Sequence, residues 1–314
     1  MKEMKLGVFV SMYGSLIKDA PVDPKPNYKH ILETANIAEY FNFHSLWGTD
    51  HLYNPKLGIN APALESWTII SALAAATNKI RLGHAVLCAA FRKPALLAKM
   101  VTTIDDVSEG RFIFGIGSGN FGPEFEAFGL DFDPHDKLIE NADEQLEFMK
   151  KLWTEPKVSF SGHNFKAVDC MLEPKPIQKP YPPIFWGGTS LESQKVAARH
   201  ADGWLMKDST VDDVKLNIAS IQQFLNGRKI EYGMGAMLVL SDTDEAAYQK
   251  LLNFVSGDEK FANQIADSGL VGSPDTVARK IHNYVEAGLD HVLIKPAPTL
   301  SGLIEFGEKV LPLL

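Results

Sequence analysis

The alternation of short apolar segments with helical segments predicts an α/β protein built as a (β/α)8 barrel. Apolar, β-branched runs such as Leu6–Val10 and Phe112–Gly117 are typical of strands in a parallel sheet. Segments with apolar residues at helical spacing lie between such runs, and this order indicates βαβ units. A chain of 314 residues is long enough for one barrel with insertions but short for two domains. We therefore predict one domain, 1–314.

Eight strand and helix units can be counted, which is the number that closes a TIM barrel. The predicted strands are Leu6–Val10, His44–Gly48, Ile80–Leu87, Phe112–Gly117, Ile184–Gly187, Gly203–Met206, Met234–Leu240 and His291–Ile294. The predicted helices are Tyr28–Phe41, Ser66–Ala76, Pro94–Val107, His135–Trp153, Leu191–His200, Val211–Leu225, Pro274–Ala287 and Gly302–Leu313. Catalytic groups in such a barrel come from the loops at the carboxyl ends of the strands.

Two polar segments interrupt the regular pattern, and we interpret them as insertions. The first, about 155–183 after strand 4, is punctuated by prolines and is expected to carry its own hairpin. The second, about 241–272 after strand 7, contains two helical patches, Asp244–Val255 and Glu259–Ala266. A loop rich in Gly and Phe is expected directly after strand 4. We expect both insertions to act as lids over the active site.

The charge balance indicates which classes of partner to expect, and the cysteines indicate the redox compartment. The formal net charge is −8 with Lys and Arg interspersed among acids, so no basic surface for nucleic acid is expected. No apolar run approaches the about 20 residues that span a membrane. Cys88 and Cys170 show no CxxC spacing, which is typical of a reducing compartment. The start of the chain is interpreted as a strand rather than a leader, and we expect a cytoplasmic protein with a small-molecule substrate.

Asp50 and His51 are the candidate catalytic residues. They come directly after strand 2, at the face where a barrel places its chemistry. An adjacent carboxylate can orient an imidazole and raise its basicity. On its own, an Asp-His pair more often only caps a turn, and the position at the strand end is what favours catalysis.

A GxGxxG sequence begins with Gly117, Ser118, Gly119 and Asn120. In a dinucleotide-binding domain this motif follows the first strand, opens a helix and precedes a ribose-binding acid by about 20 residues. Here it follows the fourth strand, a proline comes next, and no second strand carries that acid, so we exclude such a domain. The glycines suit a backbone that approaches a flat ligand ring closely, although glycine-rich turns also form without a ligand.

Gly187, Gly188, Thr189 and Ser190 lie between strand 5 and the next helix. Backbone N–H groups and two hydroxyls converge there, as in a phosphate site at a helix N-terminus. The same residues fit a second interpretation, because Thr189 and Glu192 have the spacing of a capping box that satisfies those donors internally. The carboxylate of Glu192 would also repel an anion.

Metal and Schiff-base catalysis are poorly supported by the sequence. The nine histidines show neither HxH nor HExxH spacing and have no cysteine cluster beside them, so we expect no metal. Lys207 and Lys295 fall at strand ends, where a Schiff-base lysine would stand. A lysine at such a position is usually solvated instead.

A set of short segments spread along the chain matches the signatures of a known family. The segments are Phe43–His51, Leu82–Val86, Phe91–Ala95, Glu109–Gly117, Glu124–Gly129, Pro182–Gly188, Ala201–Trp204 and Gly272–Pro274. Taken together and in this order, they resemble the luciferase-like flavin monooxygenase and F-420-dependent oxidoreductase family. The resemblance concerns the whole chain, and it is specific for the family but only weakly specific for the reaction.

The resemblance implies roles for the candidate residues. The isoalloxazine is expected at the barrel mouth, backed by a strand 3 bulge whose non-prolyl cis peptide aligns with Ala85 and Val86. His51 is expected to act beside the flavin with support from Asp50. The phosphate is expected at residues 187–190, and residues 117–120 are expected at the edge of the ring.

Two positions depart from the family's better known branches. Ser118 stands where luciferase α chains carry a phosphate-binding arginine. Asn120 stands where F-420-dependent sugar-phosphate dehydrogenases carry an acidic proton donor. The resemblance therefore indicates neither a light-emitting luciferase nor a sugar-phosphate dehydrogenase.

The leading functional prediction is an FMN-dependent monooxygenase that uses reduced flavin and O2 on a small organic substrate. A separate flavin reductase is the expected partner, and family resemblance implies a homodimer formed through helices 2 and 3. The first alternative is a hydride-transfer oxidoreductase that uses coenzyme F-420. The second is a non-catalytic flavin-binding protein, because a fold alone does not establish catalysis.

Overall fold

The computed structural model describes residues 4–13, 27–55, 58, 61–297 and 299–314. The strands are β1 Lys5–Val10, β2 Ser45–Gly48, β3 Arg81–His84, β4 Leu87–Cys88, β5 Phe112–Gly117, β6 Val158–Ser161, β7 Lys166–Cys170, β8 Ile184–Gly187, β9 Gly203–Met206, β10 Glu231–Leu240, β11 Leu270–Gly272 and β12 His291–Pro296. The α-helices are α1 Tyr28–Tyr40, α2 Ser66–Ala76, α3 Pro94–Val107, α4 Gly122–Ala127, α5 His135–Thr154, α6 Leu191–His200, α7 Val211–Gln222, α8 Asp244–Phe254, α9 Glu259–Ser268, α10 Pro274–Glu286 and α11 Thr299–Lys309.

Eight of these strands close into a barrel. Around the ring the order is β1, β2, β3, β5, β8, β9, β10 and β12, and β12 pairs with β1 to complete it. Every pairing in the ring is parallel. The predicted (β/α)8 TIM barrel is confirmed.

Both faces of the barrel strands are buried, which explains why the strands are apolar almost throughout. One buried cluster takes its members from strands alone and fills the barrel interior; it comprises Phe9, Trp47, Ile113, Phe185, Leu205 and Leu293. A larger cluster joins the other strand face to the helices, as where Val8 and Leu46 share a core with Ile31 and Leu97. The barrel interior is therefore a packed core.

The region predicted as one strand, Ile80–Leu87, is two strands. A cis peptide bond joins Ala85 and Val86 between β3 and β4. β5 pairs with both pieces. A Cβ atom on Gly115 of β5 would lie 1.7 Å from the carbonyl oxygen of His84, so only glycine fits beside the turn in the chain.

The two segments interpreted as insertions contain the expected elements. β6 and β7 pair as an antiparallel hairpin, and α8 and α9 occupy the second segment. Two elements were not predicted: β11, which pairs with β10, and α4, which lies in the segment expected to be a Gly- and Phe-rich loop. Both are short, and neither carries a full period of apolar residues that would reveal it.

Some bounds differ from those the apolar pattern predicts. β10 begins at Glu231 rather than Met234, because Glu231 and Tyr232 pair with β9 although one is charged and the other only half-buried. α7 ends at Gln222 rather than Leu225. Within the described ranges, no helix combines the length and the apolar character that crossing a membrane requires.

Candidate active site

A cavity of about 620 Å³ opens at the carboxyl ends of the barrel strands. Its lining includes every residue predicted for the site: Asp50, His51, Ala85, Val86, Gly117, Ser118, Gly119, Asn120, Gly187, Gly188, Thr189 and Ser190. These residues come from the ends of four strands that are neighbours in the ring, and the closure of the barrel is what brings them together. Their individual roles remain predictions.

The insertions are not part of the cavity wall. No described residue of 155–183 or 241–272 lines the cavity in this conformation. That the insertions act as lids stays a prediction. Aromatic residues of the β4–α3 and β5–α5 connections line the cavity instead, namely Phe91, Phe121 and Phe125.

His51 is held by a carboxylate that lies far away in the sequence. Its Nδ1 atom is 2.9 Å from Oε2 of Glu124, which belongs to α4. The other oxygen of Glu124 accepts the backbone N–H of Leu52 at 2.6 Å. The Glu124 side chain is 2% exposed and that of His51 is 30% exposed. The imidazole is therefore fixed on the buried side and reaches the cavity on the other.

Asp50 does not support His51 as expected, and this expectation is corrected. Its Oδ2 accepts the backbone N–H of Cys88 at 2.9 Å and an N–H of Arg92 at 2.6 Å. Its Oδ1 accepts a second N–H of Arg92 at 3.1 Å. Asp50 faces β4 and the β4–α3 connection, whereas His51 faces α4. The bidentate pair anchors the chain just beyond the cis bond.

The wall beside the cis bond is made of glycines packed on Val86. A Cβ atom on Gly117 would lie 2.8 Å from Cγ2 of Val86, and one on Gly187 would lie 2.8 Å from its Cγ1. Gly119 has φ +92, and a Cβ there would meet the Cys88 sulfur at 2.6 Å. No side chain larger than hydrogen fits at these points, so the Val86 and Cys88 side chains pack directly on the backbone.

The cysteine in this wall is not a nucleophile. Cys88 is buried, and burial raises the pKa of its thiol to about 12. The thiol is therefore protonated at neutral pH, and the reactive thiolate is absent. Cys88 packs against the turn at Gly119 and serves to shape it.

The segment from Gly187 to Ser190 precedes α6 as the sequence predicts. Ser190 is the N-cap of α6, and its side chain accepts the backbone N–H of Ser193. Gly188 has φ +133, and a Cβ there would lie 2.2 Å from Oγ of Ser193. Glu192 does not supply the capping-box contact; its carboxylate lies 3.9 Å from Nζ of Lys195. Part of its charge is thereby offset.

The two strand-end lysines differ in their surroundings. Lys207 is exposed, as a solvated lysine should be. The Lys295 side chain is only 18% exposed and forms an ion pair with Asp208. Both line the cavity. Among the described residues, no group of three or more His, Cys, Asp or Glu side chains is arranged to hold a metal ion.

The sequence profile of the luciferase-like monooxygenase family matches residues 4–291. The chain belongs to this family. The resemblance seen in the sequence is thereby confirmed, together with the prediction that the chain is an oxidoreductase of the luciferase-like type.

Named relatives of this luciferase-like protein use two cofactors. It is 29% identical to an FMNH2-dependent dimethylsulfone monooxygenase of Pseudomonas putida, over 78% of this chain and 75% of that protein. It is 28% identical to an F-420-dependent hydroxymycolic acid dehydrogenase of Mycobacterium tuberculosis, over 77% of this chain and 65% of that protein.

Solved structures share the fold of this luciferase-like protein. A long-chain alkane monooxygenase superposes with a TM-score of 0.85 at 19% identity, covering 100% of this chain and 91% of that one. An F-420-dependent secondary alcohol dehydrogenase superposes with a TM-score of 0.84 at 18% identity, covering 99% of both chains.

Two site residues of this luciferase-like protein were missed by sequence reasoning. Glu124 binds His51, and Arg92 binds Asp50. Both stand in segments that carry the family resemblance, Phe91–Ala95 and Glu124–Gly129. Each segment also contains a second charged residue, Lys93 or Glu126, so charge alone did not identify the two. Their partners, however, depend on how the chain closes.

Proposed function

We propose that this protein is an FMN-dependent monooxygenase that uses reduced flavin and O2 to oxidise a small organic substrate. The observation that carries the proposal is the convergence, in one cavity, of glycines packed on Val86, the N-terminus of α6 and an oriented histidine. Family membership supplies the reaction class. Relatives named as FMNH2-dependent monooxygenases favour FMN.

The residues present fit FMN. Because Gly117 and Gly187 carry no side chain, Val86 packs directly on their backbone, and Val86 lines the cavity where a planar ring can lie against it. The turn at Gly188, Thr189 and Ser190 offers backbone N–H groups and hydroxyls at the start of α6, which suit a phosphate. The positive end of the α6 dipole favours an anion as well, so a phosphate there does not require a cationic side chain in the turn.

His51 is the proposed catalytic residue, and Glu124 is its positioning residue. The Glu124 carboxylate accepts the Nδ1–H of His51, which leaves Nε2 free on the cavity side to hold or deliver a proton. Asp50 has a structural role in this proposal: it accepts the backbone N–H of Cys88, two residues after the cis bond, and pairs with Arg92.

Aromatic side chains keep water out of the site. Phe121 packs edge-on against His51, with ring centroids 6.2 Å apart, and against Tyr53 at 5.9 Å. Phe91 and Phe125 form a second contact at 5.1 Å. When bound, reduced FMN supplies the electrons that activate O2, and such chemistry needs a dry pocket.

Titration with FMN and riboflavin tests the cofactor. We expect quenching of flavin fluorescence with FMN and clearly weaker binding of riboflavin, which lacks the phosphate. Oxygen uptake with chemically reduced FMN then tests the reaction, with dimethyl sulfone as the first substrate because two relatives are named for it. Flavin that binds but supports no substrate-dependent oxygen uptake would favour the non-catalytic flavin-binding protein.

Coenzyme F-420 is the second candidate cofactor. It is favoured by the relative from Mycobacterium tuberculosis, which is named for that cofactor. The same cavity and the same histidine would serve a hydride transfer without O2. Tight binding of F-420, together with FMN that does not bind, would replace the first proposal with this one.

The partners follow from the same proposal. A separate reductase supplies the reduced flavin, and the protein is a homodimer in the cytoplasm. The outer face of α3 supports dimerisation, since Leu96 and Val107 are 59% and 44% exposed there. Light scattering coupled to size-exclusion chromatography tests the dimer.

A further inference from the structure

Lys295 is held in the wall of the cavity in a way that the proposed function leaves unused. It lies near the end of β12, and its Nζ forms an ion pair with Asp208, which follows β9. The same Nζ lies 5.1 Å from the ring centroid of Phe9. An ammonium over an aromatic face is attracted to it and is fixed in position.

A glycine provides the room for this amine. A Cβ atom on Gly235 would lie 2.5 Å from Cε of Lys295 and 2.8 Å from its Nζ. Gly235, Phe9, Asp208 and Lys295 all line the cavity. Residues of three strands and of the β9–α7 connection thus hold the Lys295 side chain in one position. A solvated surface lysine would not need these contacts.

Lys295 stands on the wall opposite the glycines. In the ring, three strands separate β12 from β5 in either direction. The proposed function assigns the flavin to the side formed by β3, β4, β5 and β8, and the present inference rests on that assignment. A substrate that faces the flavin would then contact the side where β12 and β1 end.

The chemistry of this wall indicates the class of substrate. An ammonium has three N–H donors, and the ion pair with Asp208 leaves donors available. Since the carboxylate offsets the charge, the pair favours a neutral oxygen acceptor over an anion. Leu205 and Leu293 beside it are apolar. Lys207 also lines the cavity, but it is exposed and water screens its charge.

We propose that Lys295 determines specificity by donating a hydrogen bond to the neutral oxygen of a small, otherwise apolar substrate. A carbonyl or sulfonyl oxygen fits this description. Asp208, Phe9 and Gly235 position the ammonium and do not contact the reacting atoms.

Calorimetric titration of the FMN-loaded protein tests the proposal with four cyclic probes of similar size. Sulfolane and cyclopentanone carry a neutral acceptor, cyclopentanecarboxylate carries an anion, and cyclopentane carries neither. We expect the two neutral acceptors to bind the wild type most tightly. Lys295→Met should weaken their binding about 10- to 100-fold, the loss expected for one hydrogen bond from a charged donor.

Lys309→Met is the matched control. Lys309 is also paired with carboxylates, Asp242 at 3.1 Å and Glu305 at 3.0 Å, but it lies on α11 and does not line the cavity. Its loss should leave sulfolane binding unchanged, and neither variant should change FMN affinity. The proposal is overturned if neither neutral probe binds the wild type, if Lys295→Met binds them as well as the wild type, or if the carboxylate binds most tightly.

A crystal structure of the wild type with sulfolane gives a readout that does not depend on a variant folding. We expect a sulfonyl oxygen within hydrogen-bond distance of Nζ of Lys295, and an oxygen bound elsewhere in the cavity would overturn the proposal. Failure of the two proposals is distinguishable. The FMN titration tests the function, whereas sulfolane titrated into FMN-free protein tests Lys295 alone.

Discussion

His51 receives its partner from α4 rather than from the residue before it. Glu124 is almost fully buried, and its carboxylate accepts N–H groups from the backbone of Leu52 and Tyr53 as well as from the imidazole. These bonds fix both the loop after β2 and the histidine ring. One side chain therefore determines which imidazole nitrogen faces the cavity.

Glu124→Gln should lower kcat at least about tenfold, since an oriented acid or base contributes about 100-fold or more to a rate. The amide oxygen of Gln still accepts from Leu52, so FMN affinity and stability should change little. Steady-state kinetics and FMN titration measure the two effects. The matched control is Glu126→Gln, an exposed acid of the same helix, which should leave kcat unaltered.

A double variant tests whether Glu124 acts through His51. If it does, adding Glu124→Gln to His51→Ala should cause no further loss of kcat, because two residues that work as a unit are not additive. Additive losses would show that Glu124 has a separate role.

The pair of Asp50 and Arg92 should matter for stability. The Asp50 side chain is 1% exposed and that of Arg92 is 12% exposed, so Asp50→Asn leaves a largely buried guanidinium whose remaining charged partner among the described residues is Glu65. We expect a loss of about 3 kcal/mol in the free energy of unfolding, measured by urea denaturation. Glu65→Gln should cost about 1–2 kcal/mol, since Glu65 is 43% exposed but its side chain also caps α2. Equal losses in the two variants would contradict this ranking.

Among the secondary-structure elements, the apolar pattern predicted those strands and helices that form the barrel core. Helices 66–76 and 94–107 and strands 112–117, 184–187 and 203–206 have the bounds that were predicted. Their burial is set by local periodicity, which a sequence displays directly. The break between β3 and β4 was implied only by the family resemblance, because apolar residues continue through it.

Contacts between distant elements could not be predicted in the same way. The positions of all the candidate site residues follow from eight strands closing in order, so they could be predicted once the barrel was recognised. The partners of His51 and Asp50 depend on the direction in which each side chain points. An error of one residue in the predicted alternation of side chains reverses that direction. Likewise, Lys295 looked like a solvated lysine because Phe9, Asp208 and Gly235 approach it only in three dimensions.

The contact between β5 and Val86 gives a prediction for the flavin wall. In Gly117→Ala the added Cβ would lie 2.8 Å from Cγ2 of Val86 and 3.2 Å from the carbonyl oxygen of Gly187. Overpacking costs about 1–3 kcal/mol, and the shift should disturb the surface proposed for the flavin. We expect FMN affinity to fall about tenfold or more, as 1.4 kcal/mol corresponds to a factor of ten.

Gly302→Ala provides the control for that substitution. Gly302 lies within α11, and a Cβ there would meet its nearest neighbour, Pro296, at an ordinary contact distance of 3.4 Å. Alanine in a helix interior should stabilise the protein by about 0.5–1 kcal/mol and leave FMN affinity unchanged. Loss of FMN binding in both variants would show that the effect does not arise at the glycine wall.

For the whole molecule, a buried histidine and a half-buried one at opposite ends of the barrel make folding sensitive to acid. His84 lies at the carboxyl end of β3 and stacks on Trp67, and His44 directly precedes β2 beside His291. Burial lowers the pKa of both imidazoles from 6.5 to about 4. Each is therefore neutral in the folded protein at a pH where it is charged in the unfolded chain.

The sign of the pH effect follows from proton binding. Between pH 6.5 and pH 4 the unfolded chain binds more protons at these histidines, so the free energy of unfolding must fall as the pH falls through that window. His84 is completely buried, and its share of the loss at pH 5 is about 2 kcal/mol.

His84→Phe keeps a ring on Trp67 but cannot titrate. Urea denaturation at pH 7 and pH 5 should therefore give a smaller difference in the free energy of unfolding for this variant than for the wild type. Packing changes caused by the phenyl ring are the same at both pH values and cancel, so an unchanged difference in His84→Phe would mean that His84 titrates alike in the folded and unfolded states.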